Sequence, residues 1–343
     1  QTTRYHFMKV QQSKRNLFFF GLISLILSKR GISFDMEANK NKTGLIFDNI
    51  FLDPIHDKSH PETPKRLQLA WEKIQSHPGF NNSIVYLPLK EISDEIITMI
   101  HSEDHLEKIS SRYSSNIVTI AKSAVGGVIA ACDYVHQNKV QNAFVAARPP
   151  GHHARNYGRE EGFCFFNNIA IAAKYLQNVL KYKRILIVDW DYHHGDGTEF
   201  FFYDDPTVLF FSLHDWHSYP GTGDPARKGE GEGYGYNINV HLNCGATDSD
   251  LRESLVDKLL PAAEKFQPDF VLISAGFDSR KDDLLGCFNF SDSGFYDATK
   301  IVLDIANKYA NGKIVSLLEG GYYPEGVANG VQAHLTSLSD NKQ

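Results

Sequence analysis

The chain is predicted to fold as a single α/β domain, a central and mostly parallel sheet with helices on both faces. Three observations predict it. Apolar runs of strand length recur without alternating with polar residues, as strands covered on both faces require. Helical patterns fill the intervals between the runs, the alternation that builds parallel sheets. Polar, chemistry-bearing residues then collect just after the runs, where open α/β sheets bind ligands.

The runs cover 44–47, 142–147, 184–189, 207–213, 270–275 and 313–318, rich in Val, Ile, Leu and Phe. Helical patterns include 123–137, 167–181, 248–266 and 291–310. The last opens on Ser291-Asp292-Ser293, a good N-cap cluster, and carries Ile301, Ile305 and Tyr309 at i, i+4, i+8. From residue 44 onward there is no linker, repeat or low-complexity block, so one domain is expected over 43–340. The glycine-rich loop over 214–235 is long for a strand–helix connection, which marks it for function.

Residues 1–42 are expected to lie outside the fold as a leader. Residues 17–27 (LFFFGLISLIL) are apolar and flanked by Lys14-Arg15 and Lys29-Arg30. The run is too short to span a bilayer, which takes about 20 residues, so no transmembrane segment is expected. Basic-then-apolar order keeps export as an alternative, although Ile26-Leu27-Ser28 is a poor cleavage site. Composition points the other way. Cys132, Cys164, Cys244 and Cys287 are scattered with no CxxC pair, which fits a reducing, cytoplasmic location and small buried hydrophobes rather than a disulfide framework. A formal net charge of −6 gives no footprint for nucleic acid.

The chemistry concentrates in residues 189–197, DWDYHHGDG, with three carboxylates and two imidazoles at the exit of a buried strand. Unpaired Asp is almost never fully buried, so these groups need a metal or tight His–Asp couples. Asp191 and His193 share one face of an extended segment, suited to a common metal, and Asp278 at another strand end is the natural third ligand. Two carboxylates and one imidazole leave a position open for water or substrate, the pattern of a catalytic site. His152 and His153 follow the run at 142–147 and would supply acid–base chemistry, with Asp189 and Asp196 as the spare acids to fix their tautomers. Gly320-Gly321-Tyr322 brings backbone close and presents a phenol that can donate to a developing oxyanion. His194 has no role beyond a structural one.

These residues sit in RPPGHHA (148–154), EGFCFFNN (161–168), DWDYHHGDG (189–197), YPGTGD (219–224), GFDS (276–279) and LEGGYY (318–323). Together with His60-Pro61-Glu62-x-Pro64-x-Arg66-Leu67, this set closely resembles the zinc-dependent histone deacetylase superfamily, in its class II and bacterial branch. The resemblance implies an arginase-like domain with one zinc ion at the base of a narrow acyl-lysine tunnel. It would make Asp191, His193 and Asp278 the zinc ligands, His152 and His153 the acid–base pair held by Asp189 and Asp196, and Tyr322 the oxyanion donor. Gly162, Phe163, Tyr219, Leu285 and Gly321 would contact substrate. Asp189, Asp191, His193, Ser212 and Leu213 would surround a structural potassium ion. The implied activity is removal of acetyl or other acyl groups from lysine in protein substrates such as histones.

Some positions depart from the family pattern. Tyr219 stands where Phe is usual, the loop from Ser212 to Tyr219 is short, and Glu103 aligns only loosely with an acidic rim residue. Leu285 stands where a polyamine-selective member would carry Glu, which leans against acetylpolyamines, while small-molecule amides of this kind stay open as the alternative substrates. A two-metal ureohydrolase on the same fold would need a further metal ligand where Arg280 stands. A non-catalytic acyl-lysine-binding module would lack a ligand, a histidine or the tyrosine, and none is missing. An Asp–His–Asp set also accepts Fe(II), Co or Mn.

Overall fold

In the computed structural model, residues 39–340 are described. The apolar segment at 17–27 lies outside the described residues. Eight strands form one parallel sheet: β1 (Thr43–Ile46), β2 (Ile84–Leu87), β3 (Asn142–Val145), β4 (Ile185–Asp189), β5 (Val208–His214), β6 (Asn237–His241), β7 (Phe270–Ala275) and β8 (Ile314–Leu318). Their order across the sheet is β2-β1-β3-β8-β7-β4-β5-β6. Every apolar run forms a strand within about two residues at each end, and β7 matches its run end for end.

The two strands with no counterpart among the runs, β2 and β6, are the sheet's edges. An edge strand is covered on fewer sides, so it need not be apolar throughout. β6 reads Asn-Ile-Asn-Val-His, and its Asn237 and Asn239 side chains both donate to Glu199, at 2.8 and 2.7 Å.

The main helices are α1 (Pro64–Ser76), α2 (Glu103–Arg112), α3 (Ser115–His136), α4 (Asn168–Asn178), α5 (Asp196–Phe202), α6 (Asp248–Ser254), α7 (Leu260–Phe266), α8 (Asp292–Tyr309) and α9 (Pro324–Ser339). Between α6 and α7 the chain runs through a π turn, Leu255–Leu259. Pro261 has no N–H to donate back up the helix, and a widened turn just ahead of it accommodates that loss. Ser291 caps α8 by accepting from the Gly294 amide. α3 is long and apolar enough to cross a membrane, yet it is mostly buried inside the domain. Its Gly127 lets it lie close to β3, since a Cβ there would sit 3.0 Å from Val145 Cγ1.

Two cysteines depart from the expectation of small, unpaired hydrophobes. Cys244 and Cys287 form a disulfide across a separation of 43 residues, while Cys132 and Cys164 are free and buried. Folding alone brings the pair together, joining the loop after β6 to the loop after β7.

His334 of α9 is buried, with Nδ1 2.7 Å from Thr299 Oγ1 and Nε2 2.7 Å from Ser316 Oγ. Burial pushes its pKa from 6.5 down to about 3. The unfolded chain therefore takes a proton that the folded chain refuses, so this contribution to stability is complete above pH 6.5 and declines as pH falls toward 3. His334→Gln is expected to lower stability at pH 7 but to abolish about 2 kcal/mol of the stability otherwise lost between pH 6.5 and 5. Urea unfolding at the two pH values measures that slope.

Candidate active site

Strands β3, β8, β7, β4 and β5 are consecutive neighbours, so their carboxyl ends share one stretch of sheet edge. The histidine pair leaves β3, the nonapeptide leaves β4, Asp278 leaves β7 and Tyr322 leaves β8. Residues that are up to 170 positions apart in sequence are thereby brought into one cluster.

At its centre Asp191, His193 and Asp278 each offer a ligand atom, all within 4.8 Å of one another and all buried. His193 Nδ1 lies 3.2 Å from Asp191 Oδ1 and 3.0 Å from Asp278 Oδ2. Backbone amides hold the carboxylates. Gly320 donates to Asp191 Oδ2 at 2.8 Å, and Tyr192 donates to Asp278 Oδ1 at 2.8 Å. Burial works against a charge on His193, but Asp191 and Asp278 outweigh it and raise it to about 10. Burial and the charge of Asp191 raise Asp278 to about 7. A buried set with two carboxylates calls for positive charge, and its Asp–His–Asp donors fit a divalent transition metal. Among the described residues this is the one such group. Arg280 takes no part in it, because its guanidinium pairs with Asp292 at 2.7 and 3.1 Å.

The two histidines have different surroundings. His153 Nδ1 is 2.7 Å from Asp196 Oδ1, and His152 Nδ1 is 3.0 Å from Asp189 Oδ2. Burial lowers His153 to about 4, helped by the neighbouring His152. Burial also opposes a charge on His152, but Asp191 and Asp189 overcome it and raise it well above the usual value. Only His153 lines the pocket; His152 lies behind it.

That pocket, of about 400 Å³, is lined by His153, Gly162, Phe163, His193, Ser218, Tyr219, Leu285 and Tyr322. Gly162, Phe163, Tyr219 and Leu285 therefore stand together as wall residues. Ser218 joins them, although nothing in its sequence surroundings marks it. Gly321 does not line the pocket; its carbonyl accepts from Arg66 Nε at 2.7 Å. Glu103 is exposed at the start of α2 and is likewise absent from the lining. Burial and the charge of Asp278 raise Tyr322 well above the ordinary phenol value, so it keeps its proton.

Several supporting residues, most of them inside the quoted motifs, were assigned no role from sequence. Glu62 is buried, accepting from Arg148 Nε at 2.6 Å and from Arg66 NH1 at 3.0 Å. Arg66 also donates to the Glu319 carbonyl and lies 5.2 Å from the centre of the Tyr322 ring. Glu319 in turn accepts from the Gly151 amide at 2.6 Å and the His152 amide at 3.2 Å, while burial raises it to about 7. Asp283 accepts from the Leu285 amide at 2.9 Å and from the Tyr322 amide at 2.7 Å, tying a wall residue to the tyrosine. His194 is buried between Thr222 Oγ1, 2.8 Å from Nδ1, and Glu199 Oε2, 3.3 Å from Nε2. It braces the glycine-rich loop.

A histone deacetylase domain matches residues 60–338. The chain belongs to the histone deacetylase family. Its eight-stranded parallel sheet flanked by helices is the arginase-like fold of that family. It is 36% identical over 338 residues to histone deacetylase 5 of Arabidopsis thaliana, covering 89% of this chain and 50% of that relative. A probable deacetylase of Archaeoglobus fulgidus is 36% identical over 299 residues, covering 83% of this chain and 82% of the relative. A polyamine deacetylase of Danio rerio is 36% identical over 321 residues, covering 86% and 45%. The HD domain of HDA15 superposes with a TM-score of 0.81 at 31% identity, covering 88% of this chain and 89% of that one. The chain spans about half the length of the plant and fungal curated relatives, 50% and 49%.

Close backbone approach is a condition of the ligand cluster. A Cβ on Gly320 would collide with Asp278 Oδ2 and come within 2.6 Å of Asp191 Oδ2. Gly320→Ala is therefore expected to weaken divalent-metal affinity about 10–100-fold. Competition against a fluorescent chelator measures it, and an unchanged affinity would contradict this reading of the cluster.

Proposed function

We propose that the chain removes acyl groups, acetyl foremost, from lysine side chains of proteins such as histones, with one zinc ion held by Asp191, His193 and Asp278. The pocket carries this reading. Its walls at Phe163, Tyr219 and Leu285 are apolar and aromatic, and its polar groups, His153, His193 and Tyr322, converge at the ligand cluster. A neutral acyl-lysine suits that lining, with methylenes against the rings and the amide against the polar groups. A polyamine would bring further ammonium groups to walls whose lining contains no carboxylate. Burying those charges unpaired is costly, so acetylpolyamines rank second, consistent with Leu285 standing where a polyamine-selective enzyme would carry Glu.

When bound, the metal would lower the pKa of its water to near neutrality and polarise the acyl oxygen. The remaining tasks fall to the protein. His153 has Nδ1 committed to Asp196, which leaves Nε2 to take the proton of the attacking water. Tyr322, buried and protonated, would donate to the acyl oxygen as it gains charge. One of the two histidines would return a proton to the departing lysine amine. Asp189, Asp191, His193, Ser212 and Leu213 are the proposed holders of a structural potassium ion. Pairing of Asp189 with Ser212 in the β4–β5 register places these strand ends side by side.

One assay panel tests the reading: an acetyl-lysine peptide, a longer acyl-lysine peptide and acetylputrescine, each with and without a chelator. Chelator-sensitive hydrolysis of the acetyl-lysine peptide is expected, with elemental analysis finding one zinc per chain. Inactivity on every substrate would defeat the proposal, and preference for acetylputrescine would promote the second reading. Tyr322→Phe should lower kcat about 10²–10³-fold, the effect of losing one oxyanion donor. Near-full turnover in that variant would remove Tyr322 from the role. Leu285→Glu should raise the ratio of acetylputrescine to acetyl-lysine turnover.

A further inference from the structure

The wall of the pocket contains a turn that needs outside support. Glu161 and Cys164 exchange backbone hydrogen bonds at 3.0 and 2.8 Å, and the two residues between them have φ of +51° at Gly162 and +68° at Phe163. Left-handed backbone is easy for glycine but costs a residue with a Cβ roughly 1–2 kcal/mol. Phe163 holds that conformation while its ring forms part of the wall, so neighbouring interactions must enforce it.

Arg155 supplies them. Its backbone amide donates to Glu161 Oε2 at 3.0 Å, and its Nε and NH2 donate to Glu161 Oε1 at 3.2 and 2.6 Å. Both oxygens of the carboxylate at the base of the turn are thus held by one residue. The third guanidinium nitrogen, NH1, lies 3.4 Å from Asp196 Oδ2. Asp196 uses its other oxygen, Oδ1, to hold His153. The guanidinium plane is steadied from outside by the Tyr157 ring, 4.4 Å from the centroid. Only a forked, permanently charged group can span two carboxylates in this way.

We infer that Arg155 is a positioning residue that links the substrate wall to the acid–base dyad. Through Glu161 it fixes the turn that presents Gly162 and Phe163, and through Asp196 it fixes the imidazole of His153. The inference rests on the function proposed above for what the wall and dyad do, but the clamp itself is a property of the fold. Its side chain is about a quarter exposed while the Glu161 and Asp196 carboxylates it pairs are buried, so Arg155→Gln strips a partner from each.

The test is a double-mutant cycle with an independent structural readout. Arg155→Gln and Glu161→Gln are each expected to lower kcat/KM for an acetyl-lysine peptide about 10–100-fold. Because both break the same clamp, the double variant should fall no further than the worse single variant. Arg155→Lys keeps a charge for one carboxylate but cannot bridge two, so it should recover kcat more fully than KM. Hydrogen–deuterium exchange at the Glu161 and Cys164 amides, which report the turn directly, should quicken in Arg155→Gln. Multiplying effects in the double variant, or unchanged exchange at those amides, would overturn the inference. A parent enzyme with no chelator-sensitive turnover defeats the proposed function instead, and the exchange measurement then decides the clamp by itself.

Discussion

Two carboxylates buried beside a single imidazole are the constraint that the rest of this site answers. Removing a charge from water costs several kcal/mol unless good partners replace the solvent. Asp191 Oδ1 receives the His193 amide at 2.9 Å, Asp191 Oδ2 receives Gly320, and Asp278 receives Tyr192 and the His193 ring. Those donors come from the exits of β4 and β8, on either side of β7. The strand order is therefore part of the chemistry. Three neighbouring strands must end at one level, and the loop after β8 must bring glycine backbone against a carboxylate that any side chain would displace.

That dependence explains what could be read from the chain. Buried central strands leave continuous apolar runs, and polar residues directly after them betray the active edge. Asp191, His193 and Asp278 were legible for this reason, as were the carboxylates 2.7 and 3.0 Å from His153 and His152. The edge strands β2 and β6 were not, because half-covered strands tolerate Asn, Tyr and His. Nor was the placement of Gly321, whose carbonyl is turned to Arg66 while its neighbour Tyr322 faces the pocket. Adjacent residues diverge in role wherever an extended segment alternates or turns, and a motif does not record which way each one points. The Cys244–Cys287 pair was hidden for a related reason, since its proximity is set by two loops on neighbouring parts of the fold.

A second layer of buried charge binds the two ends of the domain together. Glu62 lies just before α1, and the arginines on it come from α1 itself and from the loop after β3. Arg66 then reaches 255 residues along the chain to the Gly321 carbonyl. The segment bearing Tyr322 is thus shaped by residues near the start of the domain. A pair so distant in sequence incurs a large loop-closure cost before it contributes anything. The tyrosine's position thus rests on an arginine from the start of the domain as well as on the Asp283 carboxylate that holds its amide.

The chemistry and the substrate wall are consequently built on supports of different stiffness. The proposed metal ligands and acid–base histidines leave central strands and are tied to one another by buried hydrogen bonds. The wall is assembled from three separate loops: the strained turn at Phe163, the glycine-rich segment carrying Tyr219, and the Asp283-braced loop carrying Leu285. Loops accept substitution more readily than the elements they join. Under the proposed function, changes of acyl preference would arise at the wall and leave the cluster beneath it in place, provided that the turn at Phe163 stays clamped. Arg155 matters for that reason. It joins the loop-built wall, through Glu161, to the carboxylate that holds His153.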